Sequence, residues 1–172
     1  MKNPKNKGGS FERKIARKLS LWITDGVDDS ALWRSDDSGA RATRSGDINL
    51  VNQCGDIKAD SKKGFELTNR FYVELKHYSD IKIDQLIWQK NKQNNVYGWW
   101  LKYTKEAKKY GLDLMLICKQ NNRKELLLFK KSFKDIFEIE NYHILAIINS
   151  LDMHIMYLDD FLDTYDFKLV YL

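Results

Sequence analysis

Proline is almost missing from this chain. The one proline stands at position 4, so no Pro-rich linker divides the 172 residues, and that length suits one domain with a core of its own. Cysteine is scarce too. Cys54 and Cys118 share no metal-binding or disulfide motif, and they read as buried thiols of a reduced, cytoplasmic protein. No stretch reaches the roughly 18 consecutive apolar residues of a membrane-spanning helix; the longest candidate, "YHILAIINSL", stops at Asp152. The basic N-terminus runs into "FERKIARKLS" rather than an apolar segment and cleavage site, which speaks against a secretory signal. Histidine is sparse, and His143 and His154 have no ligand spacing with either cysteine, which argues against zinc.

Acids are rare at one end and bases at the other. Glu12 is the only acid in the first twenty residues. Residues 1–134 hold 28 Lys and Arg against 16 Asp and Glu, whereas residues 135–172 hold 1 against 8. A basic body with an acidic C-terminal segment suggests a polyanionic partner, nucleic acid first among them.

What is present is a globular composition, 43% hydrophobic with five Trp, nine Tyr and eight Phe. Residues 1–9 read as a flexible basic arm in which Lys2, Lys5 and Lys7 add a non-specific electrostatic contact. Residues 10–172 then form a single domain. Ser10 is a plausible cap for a helix from Phe11, with Phe11, Ile15, Leu19 and Trp22 facing the core. Residues 25–46 read as loop, "SKKG" at 61–64 as a turn, and 70–77 as a strand. Residues 84–110 are helical with a break near "NNVYG", ending at Gly111. "LDLMLICKQ" and "KELLLFKK" form two antiparallel strands around a tight "NNR" turn. Residues 142–149 and 153–158 read as further strands and "LDDFLDTY" as a short acidic helix. The order of helix, strands, helix and strands predicts a mixed α/β fold.

The strand "RFYVELKHYSD" carries the chemistry. Strand alternation puts Tyr72, Glu74 and Lys76 on one face and Phe71, Val73 and Leu75 on the other. Eighteen residues before Glu74 stands Asp56, in "CGDIKAD". A hairpin through the "KKG" turn is expected to bring the two carboxylates together. Paired carboxylates make a hard oxygen site suited to Mg²⁺. A neighbouring lysine can orient or deprotonate a water and neutralise charge on a phosphate. Asp47, in "SGDINL", competes with Asp56 for this role but lies further from Glu74 in sequence. In residues 33–46, Arg34, Ser38, Arg41 and Arg44 stand among small and hydroxyl residues, a composition that lets a loop approach phosphates closely. Trp99, Trp100 and Tyr103 could stack bases, but helical spacing favours the core for them. His77 is expected to face away from Glu74.

These residues resemble the PD-(D/E)xK nuclease superfamily: Glu12 on the first helix, "GDI" with Asp56, and "VELK" with Glu74 and Lys76. Gly-Asp stands where the family name has Pro-Asp. "WRSDDSGARATR", "GDI", "VELKH", a "WW…A" helix and two strands flanking "NNR" follow one another as in small Holliday junction resolvase-type nucleases of phages and prophages. The resemblance covers roughly residues 8–130. It implies a restriction-endonuclease-like fold with a central mixed sheet flanked by helices, and metal-dependent hydrolysis of DNA phosphodiester bonds in a bacterial or phage-infected cell. Asp56, Glu74 and the Leu75 carbonyl would hold Mg²⁺ or Mn²⁺. Lys76 would position or activate the attacking water, and Glu12 would support the site. The expected substrate is branched or junction DNA, cut by a homodimer. A sequence-specific homing or restriction-type enzyme and a non-catalytic DNA-binding module remain as alternatives.

Overall fold

The computed structural model describes residues 4–35, 54–89 and 94–167. Helix α1 spans Pro4–Ile23. It begins at Pro4 rather than Phe11, so it takes in residues assigned above to the arm, and Ser10 lies inside it. Proline suits a first helical position because that N–H has no intrahelical partner. Phe11, Ile15, Leu19 and Trp22 are buried along one stripe of α1, as their spacing predicts.

The strands are β1 (Leu32–Arg34), β2 (Ile57–Ala59), β3 (Phe71–Tyr78), β4 (Asp113–Gln120), β5 (Glu125–Phe129), β6 (Ala146–Ile148) and β7 (Met153–Tyr157). Five of them form a mixed sheet in the order β3-β4-β5-β7-β6. β3 and β4 run parallel, from Phe71 opposite Asp113 to Tyr78 opposite Gln120, and every other pair in this sheet is antiparallel. The remaining helices among the described residues are α2 (Lys62–Thr68), α3 (Ile83–Gln89), α4 (Asn95–Lys109), α5 (Lys131–Ile136) and α6 (Leu158–Thr164). A parallel pair needs a crossover, which α3 and α4 supply. Among the described residues no helix is long and apolar enough to cross a membrane.

Two corrections to the sequence reading matter for function. The segment after Asp56 is not a hairpin. The Ser61 side chain accepts from the Gly64 N–H at 3.1 Å and caps α2, so "SKKG" opens a helix. Part of the presumed loop 25–46 is strand β1. It pairs antiparallel with β2, Leu32 opposite Ala59, Trp33 opposite Lys58 and Arg34 opposite Ile57. The expected strand at 142–149 is only β6, with short 3₁₀ turns at Asn141–His143 and Asn149–Leu151 on either side.

Alternation along β3 decides which side each residue serves. Phe71, Val73 and Leu75 join α1, α5 and α6 in one core layer, and Tyr72 joins α3 and α4 in the other. The first layer is rich in phenylalanine. Phe133 is fully buried, with the rings of Phe71, Phe129, Phe137 and Phe161 all within 5.3 Å of it. Truncating such a side chain to alanine costs about 3–5 kcal/mol. The second layer buries Trp100, whose Nε1–H donates to the Leu151 carbonyl at 3.0 Å. Cys54 and Cys118 are buried and form no disulfide, with burial pushing their thiols up to about 11 and about 12.

Helix α1 is also tied to the sheet by charge. Glu125, at the start of β5, is 4% exposed and accepts from Lys14 at 2.8 Å and Lys18 at 3.5 Å, both on α1, with Lys119 of β4 at 3.1 Å. Lys18 also contacts Asp159 of α6.

Candidate active site

Among the described strands β3 stands at the edge of the five-stranded sheet, and its outer backbone groups need partners. The short chain segment before β2 supplies them. The Asp56 N–H donates to the Val73 carbonyl at 2.9 Å, and the Leu75 N–H donates to Asp56 Oδ2 at 2.8 Å. Gly55 makes this approach possible. Its φ is +79°, and a Cβ there would stand 2.5 Å from the Val73 oxygen. The "GD" pair therefore docks backbone to backbone on β3 and fixes the Asp56 carboxylate beside the strand.

Glu74 and Lys76 project from β3 towards α4. The Lys76 ammonium contacts Glu74 Oε1, donates to the Leu75 carbonyl at 3.2 Å and lies 3.9 Å from Asp56 Oδ2. The Asp56 and Glu74 oxygens are thus less than twice 3.9 Å apart. The ammonium also lies 4.7 Å from the centroid of the Tyr103 ring. Asp56, Glu74 and Lys76 are all largely shielded from water, at 10%, 6% and 16% side-chain exposure.

The electrostatics follow from two acids sharing one base. Burial, and then the charge of Asp56, push Glu74 up to about 7, against the pull of Lys76 and a hydrogen bond with Tyr103. Asp56 is also raised, by burial above all, although Lys76 and the Leu75 N–H oppose the shift. Burial works against the charge on Lys76, but Glu74 and Asp56 outweigh it and its pKa is raised. The lysine is an ammonium here.

The cluster passes a simple test as a cation cradle. Two carboxylates and a backbone carbonyl converge on one positive centre, and hard oxygen donors of this kind suit a divalent ion. The Lys76 ammonium stands in for that cation, and when both acids are ionised it leaves them one unbalanced negative charge. Among the described residues no group of three or more His, Cys, Asp or Glu could hold a metal, so none of them adds a third carboxylate to the set.

Glu12 is beside this cluster rather than in it. Burial raises its pKa first, the Asp56 charge second, and Arg34 opposes both. Arg34 Nη1 lies 3.4 Å from Glu12 Oε2. Gly9 leaves room for that guanidinium, since a Cβ at Gly9 would stand 2.6 Å from Arg34 Nη1. Ser38, Arg41, Arg44 and the competing Asp47 lie outside the described residues. His77 faces the other way, its ring 5.1 Å from that of Phe11 and its Nε2 3.2 Å from Asn121 Oδ1.

Two members of the neighbourhood are not expected there from the sequence, which offers Tyr103 as a core or base-stacking residue and gives Lys102 no role. Tyr103 reads as a core residue, and it is one, yet its ring receives the Lys76 ammonium and its side chain helps to lower the pKa of Glu74. Lys102 reaches the same ring at 4.8 Å, and its charge acts on Asp56. A "KY" pair on a helix carries no local signal for either contact.

No curated protein and no solved structure matches the chain. One family model does, that of the phage putative PDDEXK endonucleases, over residues 3–170. The mixed five-stranded sheet flanked by helices is consistent with the restriction-endonuclease-like fold. With nearly the whole chain matched and an acid pair and lysine gathered on one strand edge, the protein belongs to the phage putative PDDEXK endonuclease family.

Proposed function

We propose that the protein is a Mg²⁺- or Mn²⁺-dependent endodeoxyribonuclease acting on branched DNA. The family suggests a nuclease with DNA as its substrate, and PD-(D/E)xK nucleases typically use divalent metals. The observation that carries the reading is the cradle itself, in which Asp56, Glu74 and the Leu75 carbonyl surround one cation. These three groups would hold the metal, which supplies Lewis-acid polarisation of the scissile phosphate.

This chain's own groups do the rest. Lys76, kept protonated by its two acids, donates hydrogen bonds, so it positions the attacking water and neutralises charge growing on the phosphoryl oxygens. Its raised pKa favours that role over proton abstraction. Glu12 holds Arg34 by their ion pair. Arg34, with Ser38, Arg41 and Arg44, contacts the DNA backbone. The products are 5′-phosphate and 3′-hydroxyl ends. Junction DNA as substrate and a homodimer that cuts one strand per protomer follow from the resemblance to resolvase-type enzymes, as does action in the cytoplasm of a bacterial or phage-infected cell.

A binding module without catalysis is disfavoured by the acid pair, since carboxylates repel phosphates unless a cation lies between them. The test is cleavage of labelled four-way junction, linear duplex and single-stranded DNA with Mg²⁺, Mn²⁺ or EDTA. Metal-dependent cutting with the junction preferred is the expected result. Preference for one duplex sequence would instead favour a restriction-type enzyme, and binding without cutting would favour the module.

A further inference from the structure

Between α1 and the stretch from Asp29 to Arg34 lies a groove of about 300 Å³. Ala16 and Leu32 form its apolar floor, and Arg13, Arg17 and Arg34 stand around it. Trp33 closes one side and is 50% exposed, so one face of its indole is open to the groove's solvent, whereas Trp22 and Trp100 are buried in the core. The side chain opposite Trp33 on β2 is Lys58. Cross-strand partners share a face, so a lysine flanks the indole. Asp29 contacts Arg17 and holds its guanidinium over the groove.

The groove is joined rigidly to the acid cluster. Arg34 lines it and also pairs with Glu12. The next residue, Ser35, donates its N–H to the Asp56 carbonyl at 2.8 Å. From Trp33 to the level of Asp56 is two residues along an extended strand, or about 7 Å. That separation is on the order of one or two nucleotides of a DNA strand.

We propose that this groove binds a nucleotide of unpaired DNA next to the scissile phosphate, with its base stacked on Trp33 and its phosphates on Arg13 and Arg17. The inference rests on the nuclease reading and adds to it a reason for choosing branched substrates. A flat indole face can receive a base only when that base has left the duplex stack. A fully paired helix offers phosphates to the arginines and nothing to Trp33. A junction, flap or frayed end offers both.

The test is run on the whole chain in EDTA, where binding is read without cleavage. The probes are a short single strand carrying one 2-aminopurine and the same sequence as a closed hairpin duplex. The wild type is expected to bind the single strand with loss of 2-aminopurine fluorescence. Trp33→Ala should weaken single-strand binding roughly fivefold to a hundredfold, the range for one base–aromatic stack, with a smaller loss on the duplex. Trp33→Phe should retain most of the binding. Trp88→Ala should bind as wild type, because Trp88 is 82% exposed and lines no part of the groove. Equal single-strand affinity in wild type and Trp33→Ala, unchanged 2-aminopurine fluorescence on binding, or a wild type that binds no single strand would each overturn the proposal. The nuclease reading fails separately, if DNA of every shape stays uncut with metal present while the Trp33-dependent binding persists.

Discussion

Glu74 and Glu125 are both buried glutamates in contact with lysine, and their acidities diverge. Glu74 shares one ammonium with a second carboxylate, Asp56, and stands pushed up to about 7. Glu125 has three ammonium groups, from Lys14, Lys18 and Lys119. Burial works to raise it, but hydrogen bonds from Lys14 and Lys119 and the charge of Lys18 hold it down at about 2. Burial acts the same way on both, so the ratio of acids to bases sets the outcome. An excess of base makes a staple that fastens α1 to β4 and β5. An excess of acid makes a site that is unfavourable as it stands and is relieved by an added cation.

The largest expected effect is on cleavage. Asp56→Asn, Glu74→Gln and Lys76→Met should each lower the metal-dependent cutting rate by roughly a thousandfold or more, since each removes charge at the reacting phosphate. Circular dichroism should show each variant folded. Asn at position 56 can still accept from the Leu75 N–H, so its backbone docking survives. The same variants in Glu125 should separate the two clusters. Glu125→Gln removes the charge that three lysines share, of which Lys18 keeps another acid, Asp159, and should cost about 2–3 kcal/mol of stability, less than for a fully buried pair because the lysines reach water. Its cutting rate at low temperature should stay near wild type.

Metal addition sharpens the contrast. A divalent ion at a hundred times its Kd stabilises by about 2.7 kcal/mol, or roughly 5–10 °C in Tm for a chain of this size. That rise should be present in wild type and Glu125→Gln and absent in Glu74→Gln. Without metal, Glu74→Gln should melt a few °C higher than wild type at pH 8. The sign follows from linkage. A glutamate whose folded pKa is raised contributes stability below its unfolded value of 4.5 and loses it as pH climbs through about 7. Glu125 runs the other way. Its contribution is complete above 4.5 and disappears as pH falls towards about 2. Metal-free wild type should therefore lose stability from two directions, and each variant should remove only one of them.

The smallest effect belongs to Tyr103. Tyr103→Phe keeps the ring under Lys76 but removes the hydroxyl that lowers Glu74. The rising limb of the pH–rate profile should move to higher pH by a fraction of a unit, with a rate loss of only a few-fold. An unchanged profile would remove Tyr103 from the site.

How far the sequence reveals these two clusters differs, and the reason is physical. Period-two alternation along β3 shows directly that Glu74 and Lys76 share a face, and "GD" upstream marks the second acid. The route between them is misread, because α2 is a seven-residue helix too short to show periodicity, and its Ser61 cap looks like part of a turn. β1 escapes notice for a related reason. It has three residues, and it is a strand only because β2 pairs with it across a distant stretch of chain. The Glu125 cluster is hidden altogether, since Lys14 and Glu125 are far apart in sequence and meet only when α1 packs on the sheet. The charges of α1 look like an ordinary solvated face until that packing is known.

The most direct test of the central claim, that the acid-rich cluster is the cation-dependent cutting centre and the base-rich one a staple, is a single cleavage assay. Wild type, Glu74→Gln and Glu125→Gln are incubated with labelled junction DNA, with a divalent metal or with EDTA, at a temperature where all three are folded. The account predicts cutting only with metal, by wild type and Glu125→Gln, and none by Glu74→Gln. Metal-dependent cutting by Glu74→Gln at the wild-type rate would contradict it.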